Sequence, residues 1–369
     1  MSNLAASNAD ERPRKTNQPP SSSLSSPSLF SLPLDMVLNV LARVPKRFYP
    51  ILCCVSNKMR SLVRSAEIHE TRSLLGKDSL YIFFLDEISS PLYVYWYTLR
   101  RTENRTTENL FYPIEFSTPR DPCTTRMLAI DTEIFFMTPC TTRSLKLRIL
   151  DTRSRVLRQG PSLLVDRLST SVGLVGGKVY VIGGCSEREL LVERFDLKTQ
   201  TFEEAPTPDE RDYRIWIYGV NVTLDRKVYA LCPREGMASY DTRDGSCQRS
   251  EMPKDKWRRS GTCVIGNVLY LYFSRFGLMW YDTQLMIWRV VYGFDLDKAQ
   301  CVGIAEYYGK LAILWEKPSP VSRESKEIWC TMIGLLRSDV GIHGAAEPSQ
   351  LLGIVPYGYL MRCCLSVSA

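Results

Sequence analysis

The octapeptide "LDTRSRVL", Leu150 to Leu157, returns in altered form as "FDLKTQTF" (195–202), "YDTRDGSC" (240–247) and "YDTQLMIW" (281–288). In each copy an apolar residue precedes the Asp, and Leu, Phe, Cys or Trp follows it six positions on. The four aspartates, Asp151, Asp196, Asp241 and Asp282, lie 45, 45 and 41 residues apart. Asp followed by Thr, or by Leu-Lys-Thr, suits a tight turn, because its carboxylate accepts hydrogen bonds from backbone N–H groups just ahead. The frame predicts a β-hairpin whose two strands carry the flanking hydrophobics.

Upstream of each frame stands another apolar run: "EIFFM" (133–137), "KVYVIGG" (178–184), "KVYALCP" (227–233) and "VLYLYF" (268–273). A further run precedes each of these: "MLAID", "SVGLV", "YGVNVTL" and "GTCVI". Four short strands thus recur about every 40–50 residues, the period of a propeller built from four-stranded blades. One such unit cannot bury both faces alone, so the units must stack around an axis. Residues 80–116 and 301–336 supply two weaker units, the first with three strands and the second with an indistinct fourth before position 350. The segment "YGYLMRCCLSV" (357–367) then stands alone. Six blades fit this count, with 357–367 expected to supply the strand missing from the first unit and so remove an open sheet edge.

These residues carry a resemblance. "GGKVYVIGG…FDLKTQTFEEAP" (176–206) looks like a kelch repeat, in which a Gly-Gly pair ends the second strand and an aromatic-Asp begins the hairpin turn. The copy at 227–247 has Leu231-Cys232 in place of the glycines and Cys247 in place of the aromatic. The copy at 268–288 also lacks the glycines but keeps Tyr281, Asp282 and Trp288.

The amino-terminal quarter has a different period. Residues 1–27 are rich in Ser and Pro ("NQPPSSSLSSPS") and are expected to be disordered, since they hold too little apolar area to order themselves. Residues 28–75 read as helical, and the change to short β-branched and aromatic runs sets a domain boundary near 76–79, with the propeller spanning 79–369. In "LPLDMVLNVLARVP" (32–45), Leu34, Val37, Leu38, Leu41 and Val44 form one helical stripe, while Met36 and Val40 lie on another face. A second helical pattern carries Ile51, Leu52, Val55, Met59, Leu62 and Val63. Roughly 45 residues without disulfide or metal seldom form a well-buried core alone, so an apolar face is expected to await either the propeller or another protein.

"LPLDMVLNVLARVP…LCCVSNKMRSLVRSAEIHETR" resembles an F-box, with Leu-Pro at the start, Leu41 and Val44-Pro45 closing the first helix, then Leu52, Val55-Ser56 and Arg60-Ser61-Leu62. Asn57 stands where such boxes more often carry Lys. The resemblance implies docking to the Skp adaptor of a cullin–RING (SCF-type) ubiquitin ligase through Leu32, Pro33, Leu41, Val44, Pro45, Leu52 and Val55. An F-box before kelch-type repeats is similar to the plant-type F-box/kelch-repeat proteins. The fold expected is an all-β six-bladed kelch-type propeller, preceded by a small all-α F-box and a disordered tail. The function implied is that of a non-catalytic substrate-recognition subunit holding an as yet unspecified target protein.

Loops at the propeller end opposite the Asp turns are the longer and more irregular ones, and loops on rigid scaffolds commonly carry recognition. Arg, Tyr and Trp are favoured at binding hot spots. The substrate-binding candidates are therefore Arg211, Tyr213, Arg214, Trp216, Trp257, Arg258, Arg259, Arg275 and Phe276.

Composition bears on the alternatives. The chain has 369 residues, 47 basic and 40 acidic side chains for a net charge of +7, too mild and dispersed to point to nucleic acid. No apolar run approaches the roughly 18 residues that would indicate a membrane span, and no secretory leader is expected at the start. The twelve cysteines include no CxxC pair and are expected to stay reduced, in the cytoplasm and/or nucleus. His69 and His343 are too few for a copper site or a Ser–His–Asp set, so no cofactor, metal or catalytic residue is expected. Two alternatives remain: a kelch scaffold without a ligase and, less favoured, a propeller enzyme.

Overall fold

The structure, a computed structural model, describes residues 28–368 except 45–47, 66, 69–70, 73–74, 76–77, 90–92, 102–108, 117–124, 140–144, 168–169, 185–191, 208–214, 217–218, 233–235 and 297–299. The Ser/Pro-rich tail lies outside the described residues. Two compact units divide the chain, Met1–Val37 and Leu38–Ala369.

Helices come first: a 3-10 turn at Leu29–Ser31, then α1 (Leu34–Ala42), α2 (Tyr49–Val55) and α3 (Asn57–Val63). The second helical pattern is therefore two helices. Ser56 breaks it, taking an extended conformation (φ −162°, ψ 160°) while its hydroxyl accepts a hydrogen bond from Met59 N at 3.1 Å, an N-cap that favours starting a new helix over continuing the old one.

The strands form six antiparallel sheets, and the domain is a six-bladed β-propeller. Blade one holds β1 (Asp78–Asp86), β2 (Tyr93–Arg101) and β3 (Asn109–Ile114). Blade two holds β4 (Arg126–Ile130), β5 (Glu133–Pro139), β6 (Leu145–Asp151) and β7 (Leu157–Ser162). Blade three holds β8 (Ser171–Val175), β9 (Lys178–Ile182), β10 (Val192–Asp196) and β11 (Thr201–Glu204). Blade four holds β12 (Val220–Leu224), β13 (Lys227–Cys232), β14 (Gly236–Asp241) and β15 (Cys247–Ser250). Blade five holds β16 (Trp257–Ile265), β17 (Val268–Phe273), β18 (Gly277–Asp282) and β19 (Ile287–Val290). Blade six departs from four strands. Its β20 (Gln300–Tyr307) and β21 (Lys310–Pro318) are followed by a long β22 (Ser325–Ser338), whose outer edge is shared by β23 (Gly341–Ala346) and β24 (Gln350–Pro356). The indistinct fourth strand is thus two strands, each pairing with one half of β22.

The last strand, β25 (Tyr359–Ser368), pairs with β1 and takes the innermost place of blade one. This is the place expected for the isolated terminal segment, and it leaves the first sheet with four strands.

Burial explains the repeating pattern. A second strand such as β9 or β13 is sandwiched between neighbouring blades and buried on both faces, which is why its apolar residues run consecutively instead of alternating. Fourth strands such as β11 and β15 lie at the rim, with no fully buried residue. Every boundary between neighbouring blades holds an apolar cluster; that between blades two and three unites Phe135, Met137 and Ile149 with Val179, Val181 and Phe195.

The Asp frames form the hairpins their sequence predicts. Asp151 Oδ1 accepts from Arg153 N at 2.8 Å, Asp196 Oδ1 from Lys198 N at 2.8 Å, Asp241 Oδ1 from Arg243 N at 3.1 Å, and Asp282 Oδ1 from Gln284 N and Leu285 N at 3.1 Å. The six-residue offset follows from the register, which sets Leu150 opposite Leu157, Phe195 opposite Phe202, Tyr240 opposite Cys247 and Tyr281 opposite Trp288. Four residues after each Asp the backbone turns left-handed, at Arg155, Gln200, Gly245 and Met286 (φ 61°, 60°, 80° and 57°). Glycine serves only one copy; the others accept roughly 1–2 kcal/mol of strain for the same turn.

Two of these carboxylates are held unusually acidic. The Lys178 ammonium, 2.9 Å away, and the Lys198 N–H lower Asp196 to about 2, and the Arg243 guanidinium does the same for Asp241. Both ionise more readily folded than unfolded, so the stability they contribute is complete above the ordinary value of 3.8 and is lost as pH falls through about 2. The urea midpoint is expected to hold down to about pH 4 and to fall from there to about pH 2, with Asp196→Asn flattening part of the fall. An Asp196→Asn profile parallel to wild type across that window would remove Asp196 from the account.

Candidate functional site

In the helical region, apolar side chains divide between inside and outside. Val37, Leu38 and Leu41 are buried, and the Tyr49 hydroxyl donates to Leu41 O at 3.1 Å, bracing α1 against α2. The buried guanidinium of Arg72 donates to Ala42 O at 2.8 Å and to Val44 O at 2.9 Å, satisfying carbonyls that the end of α1 would otherwise leave open. Arg72 Nε stands 3.8 Å from the equally buried Asp78 Oδ1 at the start of β1, so one side chain joins the helices to the first blade.

The expected docking residues meet different fates. Leu32 is 40 % exposed and Pro33 is exposed, Val55 is 65 % exposed, and Val44 and Leu52 are half-buried. Pro45 lies outside the described residues. Leu41 corrects the expectation: its side chain points inward and holds the helix, so it offers no accessible contact. Exposed apolar side chains also include Leu34 and Met36 in the first unit, and Val40, Phe48 and Ile51 in the second. Phe48 precedes the helical pattern and carries no periodic signal. Leu34 belongs to the inward stripe by spacing but lies one turn before its buried part, at the helix start.

At the propeller, the Asp turns and the first-to-second-strand turns share one end: Thr152 Oγ1 donates to Thr132 O at 2.7 Å and Thr242 Oγ1 to Arg226 O at 2.8 Å. Of the candidates for the opposite end, Arg211, Tyr213 and Arg214 lie outside the described residues, as does the side chain of Arg259. Trp216 is a correction. It is 1 % exposed and packs with Tyr180, Ile215 and Tyr240 between blades three and four, so it is core. Trp257 is half-buried against Leu271, Phe273 and Met279. Exposed Arg275 and Phe276 stand together on the turn between β17 and β18. Arg275 N donates to Asp255 Oδ2 at 2.6 Å, and the Phe276 ring lies edge-on to Phe273 at 6.4 Å. Arg258 faces inward, toward a recess beside β25.

Among the described residues no three His, Cys, Asp or Glu side chains converge to hold a metal ion, and no helix is long and apolar enough to cross a membrane. Burial pushes the thiols of Cys330 and Cys363 up to about 12, so both are protonated at neutral pH and poor nucleophiles.

Comparison with known proteins places both regions. Residues 29–71 match the F-box domain, and residues 96–350 match the FKB95 kelch-repeats domain. The F-box/kelch-repeat protein At2g44700 of Arabidopsis thaliana is 66 % identical over 366 residues, spanning 98 % of this chain and 100 % of its own length. From the same organism, F-box/kelch-repeat protein At2g44630 is 61 % identical over 371 residues (98 % and 100 %), and At2g22030 is 39 % identical over 359 residues (92 % and 93 %).

Proposed function

The chain belongs to the F-box/kelch-repeat family, and we propose that it is the substrate-recognition subunit of an SCF-type ubiquitin ligase. The helical region takes a Skp-type adaptor and, through it, a cullin–RING core. The propeller takes a target protein. The chain itself performs no bond chemistry; it raises the concentration of target lysines beside the ubiquitin-charged enzyme, and proximity then supplies the rate. Its place of work is the cytoplasm or nucleus, where its thiols stay reduced.

One observation carries this reading: the F-box-matching helices present large apolar side chains to solvent, among them Ile51, which is 61 % exposed, and Val55. Full burial of each such side chain contributes about 1.5–3 kcal/mol, so a partner that covers them gains affinity this chain does not gain alone. Leu32→Ala combined with Ile51→Ala is expected to weaken capture of a purified Skp-type adaptor by about 30-fold or more while the β-sheet circular dichroism signal is retained. Wild-type protein that never captures the adaptor at micromolar concentration would hand the case to the ligase-free scaffold.

A further inference from the structure

Three arginines line recesses where the innermost strands of the propeller converge. Arg362 of β25 lines two recesses: a cavity of about 340 Å³ with Arg258 and Ser260 of β16, and one of about 140 Å³ with Thr125 and Arg126 at β4. Among the described residues lining either recess there is no carboxylate.

Backbone irregularities put two of these side chains there. Along β1 and β25, Phe83 pairs with Cys363 and Phe84 with Met361, so Arg362 is the extra residue of a bulge and has no partner in the ladder. Between Trp257 and Thr262 the pairing of β16 with β17 is likewise broken, and Arg258 lies in that break. A bulge turns its residue out of the alternation that would send it to one blade face or the other. The third arginine is oriented by a hydrogen bond from Arg126 Nε to Thr170 O at 2.9 Å.

Elsewhere in the blades arginines meet carboxylates, as in Arg167 with Glu193, Arg194 with Glu203 and Arg289 with Asp282. Among the described residues lining the recess that Arg258 and Arg362 share there is no carboxylate, and its low-dielectric walls strengthen their field. Guanidinium groups bind oxyanions through paired N–H donors, and the Ser260 and Thr125 hydroxyls add polar groups at the walls. The larger recess sits at the lower end of the size range for small-molecule sites, too small for an extended peptide.

We infer that the central channel of the propeller is a binding site for a small multivalent oxyanion, one carrying two or more phosphate or carboxylate groups. The site is independent of the adaptor-binding reading, since none of its residues belongs to the helical region.

Calorimetric titration of the full chain with pyrophosphate and with citrate tests it, and comparison of the two separates phosphate from carboxylate ligands. Saturable binding of at least one, weakening with added salt, is the expected result. Arg362→Ala and, separately, Arg258→Gln should each weaken it about tenfold or more, whereas Arg153→Ala at the opposite turn should leave it unchanged. A thermal melt of each variant shows whether it folds, and adaptor capture by Arg362→Ala should equal wild type. The proposal is overturned if wild type shows no saturable binding of either anion, if both folded channel variants bind as wild type does, or if Arg153→Ala weakens binding equally. An acidic decapeptide that binds while neither small anion competes with it would also overturn it.

Discussion

Glu193→Ala is expected to lower the stability of the propeller by about 3–5 kcal/mol, in line with other buried ion pairs broken from one side. Glu193 and Arg167 are both completely buried, with Arg167 Nε 2.7 Å from Glu193 Oε1. The other carboxylate oxygen accepts from Leu164 N at 2.7 Å, and Arg167 Nη1 donates to Gly183 O. The pair therefore ties the chain entering blade three to that blade's third strand and to the end of its second. Removing the carboxylate leaves a guanidinium in the interior with its counter-charge gone and a backbone N–H without its acceptor. Glu193→Gln keeps the shape and one acceptor and should cost less. Arg167→Met with Glu193→Leu, which removes both charges, should recover much of the loss. Urea unfolding of the three variants decides the matter; a loss under about 1 kcal/mol for Glu193→Ala would show that this pair is not the clasp described.

Arg72→Met is expected to have a similar effect in size, of about 3–5 kcal/mol, but confined to the helices and the first strand. It removes two charge-assisted hydrogen bonds to Ala42 O and Val44 O and takes the nearby cation from the buried Asp78 carboxylate. The helices α1 to α3 have a small core of their own and Arg72 links the end of α1 to β1, so losing it should release them before the blades. Hydrogen exchange is the direct measurement: amides of α1 and α2 should exchange faster in the variant, while those of second strands such as β9 and β13 keep their protection. Capture of the adaptor should fall in parallel. Unchanged exchange in α1 would refute the coupling.

Much of the propeller was legible because its signals are local. An Asp carboxylate reaching two or three residues ahead sets the turn, and the turn sets a register that places an apolar residue six positions on, as at Phe195–Phe202 and Tyr281–Trp288. Second strands announce themselves because burial on both faces forbids polar residues over several consecutive positions. The helices were legible by period, but the break at Ser56 needed the cap geometry, since Ser in a helical pattern is equally compatible with continuing it.

Trp216 shows where composition misleads. A Trp among Arg and Tyr in a long connection has the makeup of a contact residue, yet its indole fills the boundary between blades three and four, against Tyr240. Leu41 fails for a related reason: helical spacing says which residues share a face but not whether that face meets the chain or a partner.

Sequence by itself determined the repeat, its hairpins and the helical segment ahead of them, because each rests on contacts between residues a few positions apart; six blades fit its count, but the ring is closed by β25 pairing with β1 from the far end of the domain. Tertiary structure alone decided that β22 shares its outer edge between two strands, that Arg72 bridges the helices to β1, and that a bulge turns Arg362 into the channel. Those features depend on which distant strands and loops become neighbours once the ring closes, and the packing that selects them leaves no periodic trace along the chain.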